Sequence, residues 1–203
     1  MNLVRSLAVL PLLASVSVAQ TLDFRNTSWG MNREKVVAAE GASPSQVGEV
    51  GSEMVLRYDS VSFAGLNCRV VYIFAKDRLV RTKYVFQQKH NEQNGFLADF
   101  AMVEAFLIGV LDRPTEQRVS WRDDTNKTDP QRYGAAVSLG QLLYATQWKR
   151  PRTFITHALT GASGTITHEI EYGSVDLESW EDQVTKQQAV PADHPLVQTA
   201  AAP

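Results

Sequence analysis

The stretch NCRVVYIFAKDRLVRTKYVFQQ, residues 67–88, decides the fold. Its first part, residues 70–74, is an unbroken run of β-branched and aromatic side chains, which is short for a helix and typical of a buried strand. Polar residues then turn the chain over residues 75–78, and from Val80 apolar and polar side chains alternate, as in a strand with one wet face. The stretch therefore predicts a β-hairpin at the centre of a sheet.

This hairpin also predicts which side chains form the core. Tyr72 and Phe74 fall on one face of the first strand and Val71 and Ile73 on the other, so all four side chains are buried if helices or loops cover both faces. Lys83 falls on the wet face of the second strand, where its replacement should change stability by less than about 0.5 kcal/mol. Cys68 is the only cysteine of the chain, and its place at the head of the first strand predicts a small buried residue rather than a reactive thiol.

Hydrophobic periodicity and turn residues place the other elements. Helices are predicted after Asn32, over residues 91–111, over residues 133–139 and after Ser174. Short strands are predicted over residues 21–29, 54–58, 61–63, 118–121, 142–148, 153–159 and 165–172, and a loop over residues 42–53. This order predicts an α+β fold with helices packed on one face of antiparallel strands.

The two ends of the chain differ from the middle in composition. Residues 1–19 are predicted to be a secretory signal peptide, because Arg5 precedes an apolar run that ends with Ser17 and Ala19 at the positions a signal peptidase reads. Residues 20–188 are predicted to form the α+β domain, with two halves at 20–90 and 91–188 as an open alternative. The proline- and alanine-rich residues 189–203 are expected to be a disordered tail.

Export and charge narrow the function classes. No later segment has the roughly 20 apolar residues of a transmembrane helix, so the sequence predicts a periplasmic or secreted protein without a transmembrane segment. The chain carries 20 Lys and Arg against 22 Asp and Glu, and no basic stripe that would track phosphates, which argues against a nucleic-acid partner. The sequence contains no H-E-x-x-H, G-x-S-x-G, C-x-x-C or phosphate-binding glycine loop, so a non-enzymatic protein without a cofactor is predicted.

Two histidines are the candidate site residues. A four-residue turn over residues 161–164 would place His157 directly opposite His168 on the same sheet face. Cross-strand histidines at that spacing could share a metal ion, although a zinc site needs a third ligand that the sequence does not identify. The alternative is that both are half-buried histidines in a sheet.

The segment SWGMNRE, residues 28–34, followed by the strand residues Val71–Phe74, resembles a loose group of exported bacterial proteins with a Trp-Gly-Met turn, a short helix and a Y-x-F hairpin. Their helix-plus-sheet modules are similar to those of the β-lactamase inhibitory protein and of the small lipoprotein in the outer-membrane barrel-assembly machinery. The resemblance implies a binding or scaffolding role outside the cytoplasm. This chain departs from the assembly lipoprotein because it lacks a lipid-anchoring cysteine near its start.

Two functional hypotheses follow from the sequence. The first is an exported, non-enzymatic binding or scaffolding protein of the cell envelope that contacts another protein through a sheet face or an exposed strand edge. The alternative is a periplasmic protein that binds a small molecule or a metal ion.

Overall fold

The computed structural model of the chain describes residues 21–51 and 53–177. The strands are β1 Gln46–Val50, β2 Glu53–Phe63, β3 Leu66–Ala75, β4 Arg78–Phe86, β5 Glu116–Trp121, β6 Leu142–Lys149, β7 Thr153–Ala162 and β8 Thr165–Ser174. The helices are α1 Arg33–Glu40, α2 Gly95–Leu111 and α3 Tyr133–Ser138, with a 3-10 turn at Pro130–Arg132 ahead of α3. All eight strands pair antiparallel in one sheet, in the order β1-β2-β3-β4-β8-β7-β6-β5. The predicted α+β class with an antiparallel sheet is confirmed.

Each half of the sheet is built from four consecutive strands that follow a helix. Strands β1 to β4 follow α1, and strands β5 to β8 follow α2. The two halves meet where β4 pairs with β8, with Tyr84 opposite Ile170. The last strand of each half therefore lies at the centre of the sheet, and the first strand of each half lies at an edge.

The core lies between the sheet and the helices. Tyr72 and Phe74 are fully buried there, as the sequence predicts, together with Val36 of α1 and Val103 of α2. On the other face of the strand Ile73 is also buried, but Val71 is only half-buried, because no helix of the described residues covers it. A second cluster joins α2 and α3 to β6 and β7, and contains Phe100, Ala136, Val137, Leu142 and Leu159. All three α-helices thus contribute buried side chains to one face of the sheet.

Cys68 has the buried position that the sequence predicts. Its thiol lies 3.2 Å from the carbonyl oxygen of Val61, which accepts a hydrogen bond from it. Burial raises the pKa of the Cys68 thiol to about 11, so the reactive thiolate is not populated at neutral pH. Cys68 is a packing residue.

The structure corrects four element predictions. Residues 21–29 form a turn with a single bridge between Phe24 and Thr27 rather than a strand. Strand β1 lies inside the predicted loop 42–53. The two strands predicted over residues 54–58 and 61–63 form one strand, β2, which continues through a bulge at Ser60, where φ is +61°. Helix α2 begins at Gly95 instead of residue 91, and the side-chain oxygen of Asn94 accepts a hydrogen bond from the backbone N–H of Gly134, at 2.7 Å, instead of capping the helix.

Some predictions lie at or beyond the limits of the described residues. Helical conformation begins at Val175, and the hydroxyl of Ser174 accepts a hydrogen bond from the backbone of Leu177, at 3.2 Å, as expected of a helix cap. The predicted signal peptide at residues 1–19, the remainder of the helix predicted after Ser174 and the tail predicted at residues 189–203 lie outside the described residues. Within the described part of the chain, none of the helices has both the length and the apolar character needed to cross a membrane.

Candidate functional site

The face of the sheet opposite the helices is a candidate binding surface, which we call the uncovered face. It is formed by alternate residues of the strands, and no helix of the described residues contributes buried side chains to it. Register places the following side chains on it: Gln46, Val50, Glu53, Val55, Arg57, Arg69, Val71, Ile73, Arg81, Lys83, Val85, Glu116, Arg118, Ser120, Leu143, Ala145, Gln147, Lys149, Phe154, Thr156, Ala158, Thr160, Thr167, Glu169 and Glu171.

Paired charges occupy the centre of the uncovered face. The ammonium group of Lys83 lies 3.0 Å from a carboxylate oxygen of Glu169 and 2.6 Å from one of Glu171. The guanidinium of Arg81 lies 2.7 Å from a carboxylate oxygen of Glu53. Burial alone would lower the pKa of Lys83, but its hydrogen bonds to Glu171 and Glu169 raise the pKa above its ordinary value. Lys83 therefore remains a cation at neutral pH, with the carboxylates of Glu169 and Glu171 beside it.

Apolar side chains flank this charged centre on both sides. Val55 and Val71 are partly exposed on the β2 and β3 side. Phe154 and Ala158 are partly exposed on the β7 side. The ring of Phe154 lies over Gly173, since a Cβ atom at Gly173 would come within 2.0 Å of that ring. Apolar side chains therefore border the charged centre on both sides.

The predicted histidines come together on the other face of the sheet, beneath α2. His157 and His168 are 0% and 3% exposed, and their Nε2 atoms are 2.8 Å apart. The ring of His157 stacks on Phe100 at 4.0 Å between centroids, and the ring of His168 stacks on Phe86 at 4.1 Å. The prediction that they share a sheet face is correct, but they are fully buried rather than half-buried.

The predicted register of this hairpin is wrong by two residues. His157 pairs with Ile170 and His168 pairs with Leu159, so the two histidines are diagonal neighbours instead of direct partners. The turn contains only Ser163 and Gly164, both at positive φ, as a tight hairpin turn requires. A shift of two residues keeps both side chains on the same face, because side chains alternate with a period of two.

Gly161 explains why the turn is shorter than its glycines suggest. A Cβ atom at this position would lie 2.1 Å from the carbonyl oxygen of Val137. Gly161 therefore belongs to β7, where it allows the close approach of α3, and it is not a turn residue.

Both histidines are neutral. Burial lowers the pKa of His157 to about 2, with a smaller contribution from the neighbouring His168, and burial lowers the pKa of His168 to about 3. The Nδ1 atom of His157 is buried without a partner among the described residues. An orphaned buried N–H is rarer than an orphaned acceptor. We therefore assign the bare lone pair to Nδ1 of His157, so that its Nε2–H donates to Nε2 of His168.

The geometry is that of a hydrogen bond rather than of a metal site. Two histidines on a tetrahedral zinc ion, each about 2.0–2.1 Å from it, hold their nitrogens about 3.3 Å apart. The described residues also contain no group of three or more side chains of the metal-binding types. The described part of the chain thus supplies no third ligand for the metal site predicted at His157 and His168.

A buried polar network near α1 was missed by the sequence reasoning. The carboxylate of Glu40 accepts hydrogen bonds from the hydroxyl of Tyr72 and from Nε and Nη2 of Arg25, the latter two at 3.0 and 2.9 Å. The side chain of Glu40 is only 5% exposed. Burial, followed by the hydrogen bond to Glu40, raises the pKa of Tyr72, so its hydroxyl stays protonated. No sequence pattern distinguishes Glu40 from an exposed glutamate at the end of a helix.

Comparisons with family models, with curated proteins and with solved structures find no match to this chain. The resemblance to exported helix-plus-sheet proteins therefore stays a prediction from residues 28–34 and 71–74.

Proposed function

We propose that this protein acts by binding another protein through the uncovered face of its sheet, without catalysing a reaction. The observation that carries the proposal is the position of helices α1, α2 and α3, which all pack on one side of an eight-stranded sheet in the part of the chain that the structure describes. Antiparallel sheets commonly leave one face to water, but that face is then mostly polar. Here the face is also polar over much of its area, but it carries the partly exposed apolar side chains of Val55, Val71, Phe154 and Ala158 on both sides of its charged centre.

The size of the face suits a protein partner. Eight strands about 4.8 Å apart, with about 3.4 Å between residues, give a surface of roughly 34 Å by 25 Å or more. A standard protein–protein interface buries about 800 Å² on each partner, so this face alone is large enough for one.

The chemistry of the face also supports a specific partner. The apolar side chains beside the centre supply contact area. The alternating charges of the centre favour binding of a partner whose charges are complementary to them, and they disfavour other partners; these charges belong to Arg81, Lys83, Glu169 and Glu171. If residues 1–19 direct export, as the sequence predicts, this partner is an envelope or secreted protein.

Site-specific photo-crosslinking tests the proposal in the cells that make the protein. A photoreactive amino acid is placed at Val71 or Ala158 on the uncovered face. Matched controls carry it at Leu139 or Val110, which are 58% and 60% exposed on the helix side. We expect an adduct of one defined mass from both positions on the uncovered face and from neither control.

Adducts that form only from the helix side would overturn the proposal. An absence of adducts from Val71 and Ala158, in cells where the protein is abundant, would favour the alternative of a small-molecule or metal binder.

A further inference from the structure

A cavity of about 310 Å³ opens on the helix side of the sheet, at the end of α2. The N-terminal turn, the C-terminal end of α2 and the loop between β6 and β7 surround it. The residues on which the argument depends are Leu22, Asp23, Leu111, Arg150, Arg152 and Tyr172. Its volume is at the lower end of the range typical of small-molecule sites.

The interior of the cavity is apolar. Leu111 and the buried Ile155 form its walls, and Leu22 lies at its mouth, where it is 56% exposed. Tyr172 also lines the cavity, and its hydroxyl forms no hydrogen bond with the described residues, although its ring packs against Phe24 and Tyr84. Burial raises the pKa of Tyr172, so this hydroxyl remains a hydrogen-bond donor at neutral pH.

Two arginines give the cavity a positive side. Arg150 donates one hydrogen bond, to the carbonyl of Leu111 at the end of α2. Arg152 is paired with Asp23, at 3.0 Å, and the same carboxylate oxygen accepts the backbone N–H of Trp29, at 2.9 Å. Each guanidinium has five N–H donors, so both arginines keep donors for a ligand. One carboxylate against two guanidinium groups leaves a net positive charge among these groups.

We propose that this cavity binds an amphiphile with a short apolar chain and an anionic head, either a carboxylate or a phosphate. The chain packs between Leu111 and Ile155, and the head accepts hydrogen bonds from Arg150, Arg152 and the hydroxyl of Tyr172. Guanidinium groups suit this role because their paired donors match carboxylate and phosphate oxygens. The site is independent of the uncovered face, which lies on the other side of the sheet.

Calorimetric titration of the purified protein tests this site with four probes that share an eight-carbon chain. The probes are octanoate, octyl phosphate, octanol and octyltrimethylammonium, each below its micelle concentration. We expect saturable one-to-one binding of one or both anions, at least tenfold weaker binding of octanol, and no binding of the cation. The stronger of the two anions identifies the head group.

Two matched pairs of variants locate the binding. Leu22→Asp adds a negative charge at the mouth and should abolish binding of the anion, whereas Leu139→Asp changes a leucine of similar exposure, 58%, away from the cavity and should not. Arg150→Gln should weaken binding about tenfold, as expected for the loss of a charged hydrogen bond. Lys149→Gln removes a neighbouring cation that points to the other face and should have no effect.

Equal affinity for octanol and octanoate would overturn the proposal, and so would the absence of saturable binding. Unchanged binding in Leu22→Asp would also overturn it. None of these outcomes bears on crosslinking from the uncovered face, so failure of this site and failure of the proposed function are distinguishable.

Discussion

His157 and His168 form a neutral imidazole pair, with 2.8 Å between their Nε2 atoms, enclosed by the rings of Phe100 and Phe86. The pair sits between the sheet and α2, so a charge placed on either ring has no water to stabilise it. The hydrogen bond also needs one bare Nε2 atom as acceptor. Protonation of both rings therefore removes the bond and places two cations side by side.

The first prediction is that the protein loses stability in acid through this pair. The folded-state pKa values of His157 and His168, about 2 and about 3, lie below the ordinary value of 6.5, so the unfolded chain binds protons first. Their stabilising contribution is complete well above pH 6.5 and is lost as the pH falls towards the folded values. Between pH 7 and pH 5 the free energy of unfolding should fall by about 4 kcal/mol from the two rings.

Urea unfolding at pH 7 and pH 5 measures this loss. The control is the double variant His157→Leu with His168→Leu, which keeps all carboxylates and so isolates the contribution of the histidines. If the variant loses as much stability as the original protein over this range, the pair is not the cause.

A second prediction concerns the central strand. Phe74 is fully buried, so Phe74→Ala should leave a cavity and lower the free energy of unfolding by about 3–5 kcal/mol. Phe106 of α2 is 45% exposed, and Phe106→Ala should cost clearly less. Denaturant midpoints of the two variants decide the matter, and equal midpoints would show that the hairpin is peripheral to the core.

The structure changes the expectation for Lys83. From the sequence its replacement should cost less than about 0.5 kcal/mol, but its side chain is only 23% exposed and contacts Glu169 and Glu171. Lys83→Ala leaves these two carboxylates without their shared cation, and we expect a loss of about 1–2 kcal/mol. Lys149→Ala, at an exposed position, is the control in the same unfolding assay and should change stability by less than about 0.5 kcal/mol. If Lys83→Ala and Lys149→Ala both change the free energy of unfolding by less than about 0.5 kcal/mol, the prediction made from the sequence for Lys83 is correct.

Two glycines are predicted to respond in opposite directions to alanine. Gly161→Ala forces a methyl group against the backbone of α3 and should destabilise the protein by about 1–3 kcal/mol. Gly109 lies in α2 with open space around its Cβ position, and Gly109→Ala should stabilise the protein by about 0.5–1 kcal/mol through helix propensity. Thermal unfolding measures both changes, and destabilisation by Gly109→Ala would mean that the exposed side of α2 is occupied.

The fold class could be predicted because it depends on local patterns. The apolar run at residues 70–74 and the spacing of Phe100, Val103 and Leu107 mark the central strand and the long helix, and both carry buried side chains. Strand β1 could not be predicted in the same way. Its residues QVGEV are mostly exposed at a sheet edge, so burial imposes little pattern on them.

The arrangement of the candidate site was harder to predict, because it depends on contacts between distant residues. The meeting of His157 and His168 could be anticipated from their spacing around a glycine-containing turn. The role of Gly161 could not, because it depends on α3, which is formed by residues 133–138. The network of Arg25, Glu40 and Tyr72 joins residues up to 47 positions apart in the sequence and leaves no local signal.

The pairing of β4 with β8 has a consequence for how the chain folds during its synthesis. Every other strand pair joins strands that follow one another in the sequence. In contrast, β4 can pair with β8 only after the whole of the intervening chain has been made, because Lys83 lies opposite Glu171. Until then the inner edge of β4 is an unpaired strand edge, of the kind that invites association between chains. The pairing of β4 with β8 is thus the step at which folding of a single chain competes with aggregation.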